Sequence, residues 1–381
     1  MSVSFLDHIR ELEDPRIPGM VLYPLDEVML TVLVGLLCRA EDFDEIEDLC
    51  DELLDWLRRF LPFEHGIAPA QTLRRTLARL DPRRLEEAFA AWTASLAHRI
   101  RGVVAVDGKT VRGSKQDALG KGALHLVAAW AHEAGLVLAQ RAVDGKSNEI
   151  TAIPELLDML ALEGAIVTTC LRRSEAPASR RQVDAMGTQK DIADKIVAKK
   201  ADYVLALKGN QGTLQEDAAL FFSDPVLVAD CPCREATEAG HGRIEERTVR
   251  AADAAWLAER HPEWTGLASV ASVTVRRTIK KTGATSTETR LYISSLPPDP
   301  VRLAAAVRAH WSVENNLHWV LDVAFREDES RTRKDHSARN LAMIRRAVLN
   351  LLRREPSKLS LKRKRLKAAM SPDFRAALLA G

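Results

Sequence analysis

The N-terminal quarter of the chain carries apolar residues at the spacing of amphipathic helices. Over residues 44–60, apolar residues recur every three or four positions with acidic residues between them, which predicts a helix with one buried stripe. The same spacing predicts helices over 71–80 and 82–96, and a further helix that begins at Pro24, whose ring suits a first helical turn. We therefore expect a helical N-terminal domain over residues 1–98.

Beyond residue 100 the pattern changes to short apolar, β-branched runs, which indicate strands. The predicted elements, in order, are strands over 102–107, 123–132 and 136–143, a helix over 149–162, a strand over 165–169, a helix over 189–199 and a strand over 203–207. Three strands followed by helix, strand, helix and strand are typical of a ribonuclease-H-like fold. The predicted fold class is therefore α/β, with a mixed sheet flanked by helices.

The last third of the chain predicts a second β-rich segment followed by helices. Strand candidates at 243–249, 268–278 and 287–293 define a β-rich insertion at about 230–297. Helices are expected over 300–310, 313–323 and 335–354, so the insertion precedes the last helices of the domain. We expect residues 99–381 to form one catalytic domain that ends in a basic helical tail at about 331–381.

Charge is distributed unevenly although the net charge is only +2. Residues 1–98 contain 10 Lys and Arg against 19 Asp and Glu, whereas residues 331–381 contain 15 against 3. The acidic balance of the N-terminal part favours protein contacts over DNA reading, and the basic tail indicates a polyanionic partner. The tail residues expected to bind phosphate are Lys362, Arg363, Lys364 and Arg365. A solvated helical surface is the alternative.

Two further features of the sequence bear on the environment of the protein. The five cysteines show no regular spacing, which favours reduced thiols over a zinc site. The first residues lack the basic and apolar regions of a signal peptide, and the apolar run over 28–38 is shorter than the ~20 residues that span a bilayer. A soluble cytoplasmic protein without a membrane partner is expected.

Three carboxylates, far apart in sequence, stand in settings that suggest a shared site. Asp107 ends an apolar strand and is followed by Gly108, where a ligand can approach the backbone. Asp184 follows the fourth predicted strand, and Glu314 lies on a late helix. Carboxylates hold Mg²⁺ ions about 3.5–4 Å apart in two-metal phosphodiester chemistry. Each acid alone is more typical of a helix cap or a surface position, but the three together, in this order of elements, indicate a nuclease or transposase.

Several sequence segments resemble the ISAs family of DDE transposases, which includes the H-repeat-associated proteins. They are residues 104–109 (VAVDGK), 125–127 (HLV), 146–154 (KSNEITAIP), 184–189 (DAMGTQ), 207–211 (LKGNQ), 310–311 (HW), 314–315 (EN) and 317–323 (LHWVLDV). The resemblance extends over nearly the whole chain. It implies that Asp107, Asp184 and Glu314 form the DDE triad, with two Mg²⁺ ions that Mn²⁺ can replace. It also implies strand transfer by a homodimer on double-stranded DNA, at the terminal repeats of the element and at target DNA.

Polar residues near the predicted site are candidates for DNA contacts. Lys208 and Asn210 follow the fifth strand, although a plain turn would use the same residue types. Arg308 and His310 precede Glu314 on the predicted helix, and His318 follows it by one turn on the same face. For His318 a structural hydrogen bond is the alternative to a contact with the metal or the scissile phosphate.

The sequence departs from the family pattern immediately before Asp184. In the family the fourth strand runs directly into its aspartate, whereas here residues 170–182 separate strand 165–169 from Val183 and Asp184. This polar, Arg-rich segment contains Pro177 and suits a looped excursion. Besides an active transposase, the sequence is therefore compatible with a nuclease that lacks strand transfer, or with an inactive copy that only binds DNA.

Deletion of residues 170–182 is predicted to raise nicking and joining activity, because it restores an apolar approach to Asp184. A ligand displaced by ~1 Å costs on the order of a hundredfold in rate. The measurement is Mg²⁺-dependent nicking and joining of element-end DNA by the full chain and by the deletion variant. An active full chain and an inactive deletion variant would show that the segment is a working part of the site.

Overall fold

A computed structural model of the chain describes residues 4–96, 100–115, 122–143, 149–169, 190–207, 212–240 and 242–380. In these residues nine strands form one sheet. The strands are β1 (Gly102–Val111), β2 (Leu124–Ala131), β3 (Leu136–Val143), β4 (Ala165–Thr169), β5 (Asp202–Leu207), β6 (Cys233–Gly240), β7 (Arg243–Asp253), β8 (Ser269–Ile279) and β9 (Thr285–Ser294). No helix in these ranges is long and apolar enough to cross a membrane.

The helices occur at both ends of the chain and between the strands. They are α1 (Ser4–Ile9), α2 (Leu25–Leu37), α3 (Phe43–Glu52), α4 (Leu54–Leu57), α5 (Ala70–Arg79), α6 (Pro82–Leu96), α7 (Glu149–Asp158), α8 (Lys190–Ala198), α9 (Gly212–Ser223), α10 (Pro225–Ala229), α11 (Ala255–Arg260), α12 (Pro300–Val313), α13 (Trp319–Phe325), α14 (Ser337–Arg354), α15 (Leu361–Met370) and α16 (Pro372–Ala380). The helix expected over residues 44–60 is divided, because Leu53 leaves helical geometry between α3 and α4.

The first five strands follow the predicted order and confirm the mixed α/β, ribonuclease-H-like class. The sheet order begins β3-β2-β1-β4-β5. The β1–β2 and β2–β3 pairs are antiparallel, whereas β1–β4 and β4–β5 are parallel. Parallel pairs need crossover connections, and α7 and α8 lie in those connections. Because side chains alternate along a strand, Val104 and Val106 of β1 face α7 and α8 while Ala105 faces the opposite helical layer.

The β-rich insertion extends the same sheet. Strands β6 to β9 form an antiparallel meander, and β9 pairs with β5, so the full order continues β5-β9-β8-β7-β6. Strand β6 is the terminal strand of the described sheet, and most of its side chains are exposed. Strand β6 was not predicted from the sequence, because its small and charged residues on an exposed strand show no apolar alternation. The insertion therefore places a second β surface beside the core.

The N-terminal helices share a hydrophobic core with the C-terminal helices and one face of the sheet. Apolar residues of α2, α5 and α6 pack in one cluster with α14, α16 and the β2 residue Trp130. The side-chain amide of Asn340 on α14 donates to the carbonyls of Leu77 and Leu80, at 2.8 and 2.9 Å. Arg339 donates two hydrogen bonds to buried Glu86 of α6. These contacts join the two ends of the chain.

One buried asparagine pairs with the backbone of Val137 in edge strand β3. The Val137 N–H donates to Asn350 Oδ1 at 2.9 Å, and Asn350 Nδ2 donates to the Val137 carbonyl at 2.8 Å. At Val137 the amide takes the place of a neighbouring strand, since β3 is the terminal strand of the described sheet. Because both partners are buried, this pairing removes two otherwise unsatisfied backbone groups.

Asn350→Leu is predicted to destabilise the fold, because it leaves the N–H and carbonyl of Val137 buried without partners. Each such group costs about 1–3 kcal/mol. The free energy of unfolding, measured with denaturant on wild type and variant, tests this prediction. An unchanged midpoint and slope would show that the amide does not stabilise the edge of the sheet.

Candidate active site

Strand β1 places Asp107 at the centre of the sheet. Its last parallel pair joins Val106 to Thr169 of β4, so Asp107 lies just beyond the end of β4. The Asp107 side chain shares the strand face of Ala105 and is only 5% exposed. Asp184, expected after β4, lies outside the described residues, as do Lys208 and Asn210.

Helix α12 carries the chain across this face to Glu314. Asp299 caps its first turn, accepting from the backbone N–H of Val301 at 2.8 Å and of Arg302 at 3.2 Å. After Val313 the helix widens into a π-helical turn, Glu314–His318, in which the Trp319 N–H donates to the Glu314 carbonyl. Such turns occur frequently at functional sites. The π-helical turn connects α12 to α13.

Three histidine contacts attach this helical segment to the strands of the core. His310 Nδ1 lies 2.9 Å from the Thr168 hydroxyl of β4, and both side chains are buried. His132, just after β2, contacts the Ser312 hydroxyl at 2.6 Å. His318 Nδ1 lies 3.6 Å from Asp107 Oδ2. The segment is thereby fixed over β4, β2 and β1, on the face that carries Asp107.

The His318 contact also relates Glu314 to Asp107. Glu314 precedes His318 by four residues, and helical residues at that spacing lie about 5–6 Å apart on one face. Glu314 is half-buried and therefore stands one turn from the residue that touches Asp107. The two described carboxylates of the predicted triad lie on contacting elements.

A buried lysine next to Asp107 holds the other end of the same helical segment. Lys109 shares the strand face of Asp107 and is 8% exposed. Its Nζ lies 2.7 Å from Asp322 Oδ1 on α13 and 3.2 Å from Asp328 Oδ1. A third acid, Glu327, lies 4.0 Å away. This role of Lys109 was not predicted from the sequence. Its spacing of two residues from Asp107 in a strand places both side chains on one face, which was a usable signal.

Glu327 extends the cluster to α14. Its Oε1 accepts from Arg346 Nη1 at 2.8 Å, and both side chains are fully buried. Burial alone would raise the pKa of Glu327, but the charges of Arg346, Arg345 and Lys109 outweigh it and hold that pKa below its ordinary value. For Asp322, burial outweighs the nearby Lys109 and raises the pKa of the carboxyl.

Gly113 lets the end of β1 approach this acidic turn. A Cβ atom at Gly113 would lie 2.3 Å from the Ser330 carbonyl oxygen and 2.7 Å from that of Asp328. Arg333 also donates to the Gly113 carbonyl at 2.8 Å. Only glycine therefore allows the turn after Phe325 to close over the residues that follow Lys109.

The described residues of the site are of types that suit a hard divalent cation. Asp107 and Glu314 are carboxylates, whose oxygens Mg²⁺ prefers, and His318 lies 3.6 Å from Asp107. Across the described ranges, no three metal-ligating side chains meet in one cluster. The third expected ligand, Asp184, falls in the segment between 169 and 190 that is not described.

The expected DNA contacts divide into accessible and buried side chains. Arg308 is exposed and lies 2.8 Å from Glu238 of β6, and Lys362 and Arg363 are exposed on α15. His310 is a correction, since its buried ring bonds Thr168 and cannot reach DNA in this structure.

The assignment of Lys364 and Arg365 to DNA binding was also wrong for this structure. The Lys364 ammonium is buried and donates to the carbonyls of Leu352 and Glu355. Arg365 donates to the carbonyls of Leu36 and Ala324. Burial lowers the pKa of Arg365 to about 10. Both residues connect α15 to the helical core, so they are structural.

Glu327→Gln is predicted to destabilise the protein by about 3–5 kcal/mol at neutral pH, because it removes one partner of a buried ion pair. The folded pKa of Glu327 lies below the ordinary value of 4.5. Its contribution is therefore complete above that value and is lost as the pH falls through the folded pKa. Denaturant unfolding over a pH series should show less acid destabilisation in the variant.

Glu329→Gln is the matched control for Glu327→Gln. Glu329 pairs with Arg326 and is 61% exposed, so the change should cost less than about 1 kcal/mol. Equal losses in the two variants would contradict a special role for the buried cluster.

Comparisons with known proteins show the family to which the chain belongs. A family model described as "Transposase DDE domain" matches residues 98–351, and one described as "DDE_Tnp_1-associated" matches residues 6–93. The chain is 37% identical to "Putative transposase YncI" of Escherichia coli O157:H7, over 97% of this chain and 93% of the relative. It is 35% identical to "H repeat-associated putative transposase YhhI" of Escherichia coli (strain K12), over 99% and 98%.

A solved structure, "Cryo-EM structure of piggyBac transposase synaptic complex with hairpin DNA (SNHP)", aligns over 99% of this chain and 77% of that chain, with a TM-score of 0.43 and 10% identity. That score is too low to establish a common fold. The family match covers most of the chain, and the relatives named above match it almost from end to end. The chain therefore belongs to the DDE transposase family, alongside the H repeat-associated transposases.

Proposed function

We propose that this transposase cuts DNA at the ends of a bacterial insertion sequence and joins them to target DNA, using Asp107, Asp184 and Glu314 with divalent metal ions. The observation that carries the proposal is the contact between His318 and Asp107 at 3.6 Å. It brings the helix of Glu314 over Asp107, which lies within β1 beside the end of β4 and not at the end of its own strand as the sequence predicted. A metal-dependent phosphodiester reaction needs carboxylates from separate elements at one point.

In the proposed mechanism, Asp107 and Glu314 would hold Mg²⁺ together with Asp184, and Mn²⁺ would substitute for it. When bound, two such ions activate the attacking oxygen and neutralise charge on the leaving oxygen. His318 fixes the orientation of the Asp107 carboxylate from within ion-pair distance. Lys109 acts as a positioning residue, because it holds α13 against β1 through Asp322.

The proposed partner is double-stranded DNA, comprising the terminal repeats of the element and the target, bound by a homodimer. Exposed basic residues such as Arg308, Lys362 and Arg363 support DNA binding. For Lys208 and Asn210 the proposal rests on the sequence alone, since they lie outside the described residues.

A second candidate function is DNA binding by an inactive copy. The additional residues 170–182 before Asp184 favour it, because they separate the aspartate from the strand that would position it. A nuclease without strand transfer is distinguished from both by its products, since it would nick DNA ends without joining them.

Asp107→Asn and Glu314→Gln are each predicted to lower Mg²⁺-dependent nicking of element-end DNA at least a hundredfold, because each removes a charged metal ligand. The control is Glu246→Gln, an exposed β7 residue that pairs with Arg276 and should retain wild-type nicking. Gel analysis of nicked and joined products, with Mg²⁺ or Mn²⁺, provides the measurement. Wild-type nicking by the Asp107 variant would refute the proposed site.

A further inference from the structure

A groove between the insertion strands and α12 leads to Glu314. It has a volume of about 1100 Å³, and Glu314 itself is among the residues that line it. Six arginines line the groove, and we call it the arginine groove after Arg234, Arg243, Arg247, Arg277, Arg290 and Arg308. Five lie on strands β6 to β9 and the sixth on α12. The groove therefore opens beside the proposed catalytic carboxylate.

Strand alternation concentrates positive charge on the groove side of the insertion. Including Arg308 and Glu314, the groove is lined by six arginines and four glutamates, a balance of +2. The opposite face of the same strands carries Arg250 and Arg276 with Glu235 and Glu246, a balance of zero. A net cationic concave surface beside a neutral convex one favours a polyanionic ligand.

The glutamates of the groove position its arginines. Glu245 contacts Arg243 at 2.8 Å, Arg247 at 2.6 Å and Arg277 at 3.4 Å. Glu245 also lies directly across from Glu238 in the β6–β7 pair, where two like charges repel. Arg247, which contacts both glutamates, offsets this repulsion. Because a guanidinium has five N–H donors, each arginine keeps donors available for a further anion.

Aromatic and apolar side chains complete the groove wall. Trp311 of α12 lies under the Arg290 guanidinium, 4.5 Å from it. Val273 and Tyr292 form part of the apolar floor. A cationic groove with an aromatic side chain is the combination that binds nucleic acid strands through phosphates and base stacking. An inorganic anion or a small acidic metabolite would not use the apolar floor.

We propose that the arginine groove binds the phosphates of the DNA strand adjacent to the cleaved bond and guides that strand to Glu314. This inference rests on the proposed function, since it takes Glu314 as part of the catalytic site. Arg243 and Arg308 are both accessible to a ligand, with side chains 52% and 55% exposed. On DNA binding, these two arginines exchange or share their glutamate partners with phosphates.

The test compares two double variants of the full-length protein. Arg243→Gln with Arg308→Gln alters the groove, and Arg250→Gln with Arg276→Gln is the matched control on the opposite face. Affinity for element-end duplex DNA is measured by fluorescence anisotropy in EDTA over a series of salt concentrations. Each lost phosphate contact lowers the slope of log K against log salt by about 0.9, so the groove variant should lose about 2 units. The control should keep the wild-type slope.

An unchanged slope in the groove variant, or equal losses in both variants, would overturn the inference. Circular dichroism and thermal unfolding of both variants show whether the fold is retained. Both variants leave Glu245 its ion pairs with Arg247 and Arg277. Since binding is measured without metal, the result is independent of catalysis. If the wild-type protein nicks DNA and requires Asp107, but the groove variant keeps the wild-type slope, only the proposal about the arginine groove is refuted. If the groove variant has a reduced slope, but the wild-type protein does not nick DNA, only the proposed catalytic function is refuted.

Discussion

The buried ammonium of Lys109 constrains the geometry of the whole site. A charge that is 8% exposed requires opposite charges close by, and its acidic partners all follow Glu314 in the chain, at Asp322, Glu327 and Asp328. Neutralising Lys109 therefore fixes where α13 and the following turn must lie on β1. Because Asp107 is two residues earlier on the same strand face, the same requirement sets the position of Glu314 relative to it.

Element order could be predicted from the sequence because apolar periodicity is a local property. The ribonuclease-H-like strand order and most helices follow from it, and Asp107 could be placed because it ends a buried run. Long-range partners could not be predicted in this way. In the basic run over 362–367, Lys364 and Arg365 look like their neighbours, and only the distant carbonyls of Leu36 and Leu352 make them internal.

The distribution of charge along the sequence differs from its distribution in space. The densest basic run in the chain, in α15, directs two of its cations into the helical core. The arginines that gather in one concave surface are spread over residues 234–308 and are interleaved with glutamates. Charge counts along the sequence therefore indicate the tail, whereas strand pairing brings the six arginines of the arginine groove together from distant positions. The π-helical turn at Glu314 likewise had no local signal in the sequence.

The two ends of the nine-stranded sheet are closed by different means. A free strand edge offers unpaired N–H and carbonyl groups to any other extended chain, which makes it a template for aggregation. At β3 the amide of Asn350 occupies the N–H and the carbonyl of Val137. At β6 the exposed edge strand carries the charged side chains Arg234, Glu235 and Glu238, and charged side chains on an edge strand hinder edge-to-edge pairing of molecules. The charges of β6 thus give the protein resistance to forming intermolecular sheets in concentrated solution.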